Sequence, residues 1–140
     1  MCWTSDIAIK KIAKRDFYVY KIGSIIDNYF VSLYNRYYYT AKNVNKRIDL
    51  VINNPFDSIK VIQKGYHSYK FVALGHYYIN TPLRTVYLGN YNKAVSALLG
   101  SFPKCVVATF IIPKGAEYYK NEFGEIVSSD IIYTGKYIRL

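Results

Sequence analysis

The sequence predicts an α+β fold, a mainly antiparallel sheet with one or two short helices packed on it. Three observations predict it. β-branched and aromatic residues are dense along the chain and are broken at short intervals by Gly, Asn, Asp and Pro, as in a succession of short strands. Helical periodicity is well signalled at one place only. Finally, Cys105-Val106-Val107-Ala108-Thr109-Phe110-Ile111-Ile112 is the most continuous apolar run, which suits a central strand covered on both faces.

Taken in order, a weakly signalled helix from Asp6 to Lys14 is capped by Ser5. Phe17-Tyr18-Val19-Tyr20-Lys21-Ile22, closed by Gly23, reads as a largely buried strand because apolar bodies occupy both faces of the pleat. Tyr29 to Leu33 and Tyr37 to Ala41 flank Asn35-Arg36 and predict a hairpin. Ile48 to Ile52 predicts a short strand ended by Asn53-Asn54-Pro55, since proline cannot donate to a ladder. The well-signalled helix starts at Asn90, places Tyr91, Ala94, Val95 and Leu98 on one face and stops at Gly100. The last thirty or so residues predict a meander. In it Pro113-Lys114-Gly115 turns the chain, Tyr118-Tyr119 and Ile126-Val127 flank the 121–124 connection, and Ile131 to Tyr133 leads through Thr134-Gly135 to a closing strand.

Composition bounds the class of protein. A chain of 140 residues with 51% apolar content builds one core, so residues 1–140 are read as a single globular domain. No stretch approaches the roughly 18 to 20 unbroken apolar residues of a membrane helix, and no apolar signal region opens the chain. The expectation is a soluble cytoplasmic protein without a membrane partner. Cys2 and Cys105 are the only cysteines and His67 and His76 the only histidines, at spacings that support no disulfide framework and no metal site. Removal of Met1 would expose Cys2 as an N-terminal nucleophile, but no accompanying oxyanion-hole pattern is present. Phosphate-loop and dinucleotide glycine motifs are absent as well, and no cofactor is expected.

Seventeen tyrosines and a net charge of +10 point to an anionic, nucleotide-like ligand, because rings that stack on bases share a surface with cations that hold phosphates. Three segments concentrate these groups. Lys64-Gly65-Tyr66-His67-Ser68-Tyr69-Lys70 combines a glycine turn, an imidazole, a hydroxyl, two phenols and flanking ammonium groups. It reads equally as a tyrosine-rich strand start with solvated lysines. Arg36-Tyr37-Tyr38-Tyr39-Thr40-Ala41-Lys42, continuing to Lys46-Arg47, offers a stacking wall or a charged edge hairpin. Pro113-Lys114-Gly115 leads to Glu117, Glu122 and Glu125, three of the nine acidic residues, where a general base would be sought or where a hairpin tip is simply charged. The candidate ligand-binding residues are therefore Arg36, Tyr37, Lys64, Tyr66, His67, Ser68, Tyr69 and Lys114. Lysines and arginines are spread along the whole chain, which leaves nonspecific nucleic-acid binding as an alternative and disfavours sequence-specific DNA binding.

Met1-Cys2, Asp16-Phe17-Tyr18-Val19-Tyr20-Lys21, Gly65-Tyr66-His67-Ser68-Tyr69, Ile112-Pro113-Lys114-Gly115 and Glu125-Ile126-Val127-Ser128 together resemble a family of small proteins of no assigned activity from Bacteroides-type bacteria and their phages. The resemblance covers most of the chain in the same order. It implies a viral or prophage origin, hence a host-cytoplasmic setting, and by analogy an anti-defence sponge that sequesters a small cyclic-nucleotide or ADP-ribose-type immune signal, with a homo-oligomer enclosing the ligand. A second resemblance is to the ADP-ribosyltransferase fold, through Lys21, His67-Ser68-Tyr69, Pro113 to Gly115 and Glu125 in that order. It implies an enzyme in which His67 and Tyr69 position NAD and Glu125 stabilises an oxocarbenium. Lys21 stands where that fold usually has arginine or histidine, the Ser-Thr-Ser is missing, and Phe123 stands where a second glutamate would precede Glu125. These departures favour binding over catalysis.

Overall fold

The computed structural model describes residues 3–32, 37–56, 59–70, 105–122 and 124–139. Its strands in chain order are β1 Trp3–Ser5, β2 Lys11–Ile12, β3 Phe17–Ile26, β4 Tyr29–Ser32, β5 Tyr38–Tyr39, β6 Asn53–Phe56, β7 Ile59–Ile62, β8 Tyr66–Tyr69, β9 Cys105–Ile112, β10 Glu117–Lys120, β11 Glu125–Ser128 and β12 Ile132–Arg139. Strand accounts for about 59% of the described residues and helix for none of them, and the strands pair antiparallel, so the fold is mainly β and the α+β expectation is corrected. The helix predicted from Asn90 to Gly100 lies outside the described residues. The one predicted over Asp6 to Lys14 is replaced by irregular chain and the edge strand β2. A helix that short is marginal by itself. The sheet edge offers its backbone better partners: Lys11 and Ile12 pair with Tyr118 and Glu117, and Ala13 bonds to Ala116 and Gly115 at 2.8 Å each.

The larger sheet has nine strands, ordered β12-β9-β3-β8-β11-β10-β2, with β4 and β5 branching from β3. On one side β3 pairs with β9 from Phe17↔Ile112 to Ser24↔Cys105. On its other side β3 meets β8 only at Tyr20↔Tyr69, and β4 takes over from Gly23↔Ser32 to Ile26↔Tyr29. The sheet forks at this point. One arm carries β8, β11, β10 and β2, and the other carries β4 and β5.

Beyond β5 the chain curls back along β12. Lys42 N donates to Tyr133 O at 2.7 Å, Val44 bridges Ile132, Asn45 Nδ2 donates to Ile131 O at 3.0 Å, and Ile48 N donates to Ser129 O at 2.9 Å. β12, β9, β3, β4 and β5 thereby wrap an aromatic cluster of Phe30, Tyr39, Phe110 and Tyr133, all buried, with neighbouring ring centroids 5.1 to 6.0 Å apart. Each such ring pair adds about 0.5 to 1.5 kcal/mol beyond the apolar area it hides. A second core lies on the opposite face of β10 and β11, where Tyr119 and Val127 alternate with Tyr118 and Ile126. The three-stranded sheet β1-β7-β6 covers it through Trp3 and Ile62, and Trp3 Nε1 donates to Glu125 O at 3.0 Å.

Several element boundaries differ from the sequence reading for identifiable reasons. Ile48 to Ile52 forms no strand. Alternation would put Ile48, Leu50 and Ile52 on one face, but Ile48 packs on the aromatic core and the other two on the second core, so the segment has to leave the ladder. The strand comes after it instead, as β6, and Pro55 is accommodated because β6 is an edge strand. Thr134-Gly135 does not turn the chain but sits in the register shift of β12, with Thr134 Oγ1 donating to Thr109 O at 2.7 Å. β12 consequently pairs with β9 rather than continuing the meander. The two predicted hairpins, β4–β5 and β10–β11, are present.

Gly23 does not close β3 but lies inside it. A Cβ there would meet Phe30 ring carbons at 2.6 and 2.9 Å and press on the Val31 carbonyl oxygen. Glycine is what leaves room for the Phe30 ring against β3. Gly23→Ala is expected to lower stability by about 1 to 3 kcal/mol, the cost of overpacking a close-packed site. Urea denaturation reads this as a lower midpoint, and an unchanged midpoint would show that β4 moves aside freely.

Candidate functional site

Strand register brings five cations around one groove: Lys11, Lys14, Arg15, Lys70 and Lys120. Lys11 is the partner of Tyr118, Lys120 of Ile126, and Ile126 of Ser68. Period-2 alternation then puts Lys11, Tyr118, Lys120, Ile126 and, two residues past Ser68, Lys70 on the same face. Lys14 and Arg15 come from the turn between β2 and β3. That turn is pinned by the Ala13 backbone bonds and by Asp16, whose Oδ1 accepts Lys114 N at 2.8 Å.

The groove has a volume of about 600 Å³, Phe17 and Tyr118 supply its aromatic surface, and Tyr18 borders it. Phe17 and Tyr118 pack on each other at 5.2 Å, whereas Tyr18, which alternation turns to the face of Tyr20 and Tyr69, is 63% exposed. None of the described lining residues is acidic. Nearby carboxylates are committed elsewhere, Glu117 to Lys10 at 3.3 Å and Asp16 to the Lys114 amide. The Lys120 ammonium is pushed below its ordinary pKa by desolvation first, then by Lys70 and Lys11. Converging cations with no acidic residue in the described lining form an electrostatic sink for phosphate, sulfate or carboxylate groups.

Part of the predicted set meets elsewhere. Tyr37, Lys64 and Tyr66 line a separate cleft of about 490 Å³ with Lys46, Arg47, Ile48, Gln63 and Gly65. Tyr66 is nonetheless buried, and its hydroxyl donates to Lys46 O, so its ring is not a free stacking platform. Burial first, then Tyr37 and Asp130, push the Tyr66 phenol up. Arg47 is held by Asp130 at 3.6 Å. A Cβ on Gly65 would strike Val127 and Leu50 at 2.5 and 2.7 Å, so this glycine serves close packing of the cleft wall on the second core.

Ser68 is buried on the groove side of the sheet, and its Oγ has no hydrogen-bond partner. His67 and Tyr69 point to the other face. His67 Nε2 lies 3.3 Å from Gln63 O, which assigns the proton to Nε2 because a carbonyl only accepts. Burial, opposed by that bond and reinforced by Lys21, pulls the imidazole pKa down to about 4, so it is neutral near pH 7 and no phosphate ligand. Tyr69 is buried opposite Glu125. The Glu125 carboxylate accepts from Asn121 Nδ2 at 2.8 Å while Glu125 N donates to Asn121 Oδ1 at 3.0 Å, a mutual clamp that closes the β10–β11 hairpin. Lys114 is absent from the described lining of both cavities, and Arg36 lies outside the described residues. Among the described residues no cluster of His, Cys, Asp and Glu could hold a metal ion, and no helix is long and apolar enough to cross a membrane.

The chain matches no family model, no curated protein and no solved structure. The groove therefore stands on its own chemistry. Lys11, Lys14, Arg15 and Lys120 do not stand out in the sequence as site candidates, where only the adjacent Lys14-Arg15 pair and the alternation in Glu117-Tyr118-Tyr119-Lys120 hint at them.

One further cation is buried at the fork. Lys21 reaches from β3 to donate to the His67 carbonyl, and its Nζ lies 5.6 Å from the Tyr39 ring centroid and 5.9 Å from that of Phe110. Desolvation lowers its pKa from 10.5 to about 8. Between those values the unfolded chain binds the proton that the folded chain has released, so stability rises with pH over that interval. The full rise is about 3 kcal/mol, cut short above roughly pH 10 by Tyr39, whose buried phenol resists ionising and so favours the unfolded chain there. His67 produces a separate rise between about pH 4 and its ordinary 6.5. Urea midpoints from pH 5 to 10 should show both limbs, with Lys21→Met removing most of the alkaline one and leaving the smaller share that the lowered Lys120 contributes. An alkaline rise undiminished in Lys21→Met would assign it to another group.

Proposed function

We propose that this chain binds a small, phosphate-bearing, nucleotide-like anion in the Lys11, Lys14, Arg15, Lys70 and Lys120 groove and holds it without chemical change. The observation that carries the reading is the convergence of five cations, with no described acidic neighbour in the lining, beside the rings of Phe17 and Tyr118. Ammonium and guanidinium groups supply charge-assisted hydrogen bonds worth about 1.5 to 3 kcal/mol each to phosphate oxygens. Stacking of a base on Phe17 or Tyr118 supplies roughly 1 to 3 kcal/mol more. Such a site suits sequestration of a nucleotide signal, the role implied by the resemblance to small phage proteins. The cleft at Tyr37 and Lys64 is the weaker candidate, because Arg47 is already paired there and Tyr66 is buried.

Titration of the purified protein with cyclic dinucleotides, cyclic trinucleotides, cyclic ADP-ribose isomers, NAD and pyrophosphate, followed by heat release and chromatography, tests the reading. At least one nucleotide should be retained and recovered intact. Lys70→Ala and Lys120→Ala should each weaken its binding by about tenfold or more. Lys64→Ala should leave it unchanged. Failure to bind any panel member, recovery of an altered ligand, or equal loss in Lys64→Ala would each overturn the proposal.

A further inference from the structure

The five cations of the groove exceed what a single phosphate can use, and their placement says how they converge. Lys120 and Ser68 are the two register partners of Ile126, and Lys70 follows Ser68 by two residues, so Lys120 and Lys70 stand on either side of the β11 strand on the face that Ile126 occupies. Lys70 is close enough to Lys120 to hydrogen bond with it, and Lys11, beside Tyr118 on the same face, lies within reach of the Lys120 charge. Ammonium groups only donate, so two of them at that separation supply no acceptor to each other. An anionic oxygen between them is what both lack. Lys14 and Arg15 add two further cations from the turn, and all five residues are exposed.

We propose that the groove selects condensed phosphates, the diphosphate or triphosphate chain of a nucleotide in its metal-free form, over ligands that carry one phosphate or phosphodiesters set apart from each other. The inference rests on reading the groove as a phosphate site and names the class of phosphate it takes. Charge matching selects that class. A phosphate monoester brings a charge of about −1.5 to −2 against five cations. Each phosphate condensed onto it adds charge and acceptor oxygens beside the first, at the short range where Coulomb attraction is strongest. The phosphodiesters of a cyclic dinucleotide are held apart by its sugars, and a nucleic-acid strand spreads its charge along its length. Magnesium, the usual partner of a nucleotide's phosphates, is bound through one or two carboxylates as well as through the phosphate oxygens. No described lining residue of the groove carries a carboxylate, and Asp16 and Glu117 nearby are engaged by the Lys114 amide and by Lys10. The lysines and Arg15 thus neutralise the chain in place of a divalent ion, and the ion competes with them for the same oxygens.

Calorimetric titration of the full chain with AMP, ADP, ATP, a cyclic dinucleotide and inorganic tripolyphosphate, each in EDTA and in excess magnesium, tests the inference. Affinity should rise by about tenfold or more with each phosphate added from AMP to ATP, the size of one further charge-assisted contact. ATP should bind more tightly than the cyclic dinucleotide, tripolyphosphate should displace ATP, and excess magnesium should weaken ATP binding. Lys120→Ala, a change at an exposed position, should remove about tenfold of the advantage of ATP over AMP, whereas Lys64→Ala should leave that advantage intact. AMP or the cyclic dinucleotide binding as tightly as ATP, an advantage undiminished in Lys120→Ala, or ATP binding unmoved by magnesium would overturn the inference. So would displacement of ATP by an RNA oligonucleotide at a lower phosphate concentration than tripolyphosphate requires. Equal binding of every compound removes the selectivity alone, whereas binding of none removes the groove reading too.

Discussion

The fork in the large sheet is the constraint on which the other features depend, and Lys21 occupies it. β3 can pair fully with only one strand per edge, and past Tyr20 that edge passes from β8 to β4. Lys21 lies where β8 has departed, and its ammonium takes the His67 carbonyl across the gap. Burying an ammonium is expensive, which the depression of its pKa to about 8 expresses, but two ring faces and a carbonyl reduce the cost. Because β8 leaves at this point, β11, β10 and β2 extend the sheet in one direction and bring Lys11, Lys70 and Lys120 together. Because β4 arrives, Phe30 and Tyr39 fold over Phe110 and Tyr133 and make the core.

Carboxylates are used sparingly, and mostly for structure. Asp130 takes Arg47 and the Ser129 hydroxyl, Glu125 takes the Asn121 amide, and Asp16 takes the Lys114 backbone amide. Each of these holds a turn or a segment in place. None of these carboxylates belongs to a described lining residue of the groove. The excess of positive charge visible in the composition thus becomes a local field, since screening over about 10 Å in dilute salt leaves only nearby charges to count.

What the sequence discloses is local. The apolar runs from Phe17 and from Cys105, and the turns at 121–124 and after Gly115, specify strands and one hairpin through periodicity and turn chemistry within a few residues. The fork is not legible, because nothing in Tyr20-Lys21-Ile22 says that two different strands share one edge. Nor is the role of Tyr39, since in a row of three tyrosines the buried one is selected by the register of β5 on β4. The groove was missed for the same reason. Its cations lie at strand ends far apart in the chain, and only the pairings of β2 with β10 and of β8 with β11 make them neighbours. His67 and Glu125 are chemically suggestive residue types whose contacts in the fold are a carbonyl and an amide clamp, and neither contact is visible in the sequence.

The two cavities differ in what their charges already do. In the cleft, Arg47 has Asp130, the Tyr66 hydroxyl has a carbonyl, and Gly65 is fixed by contact with the second core, so its polar groups are largely spent on joining segments. In the groove, Lys120, Lys70 and Lys11 oppose one another, and that repulsion is a term against folding. Backbone bonds at Ala13 and the Asp16 clasp hold the turn bearing Lys14 and Arg15 in place, so these cations cannot simply swing apart with a loop. An anion entering there gains from charges whose convergence the fold has already imposed, and it returns stability to the fold by mass action. If the groove takes an anion as proposed, its occupancy and the integrity of the β2–β10 edge would be coupled through the same few ammonium groups.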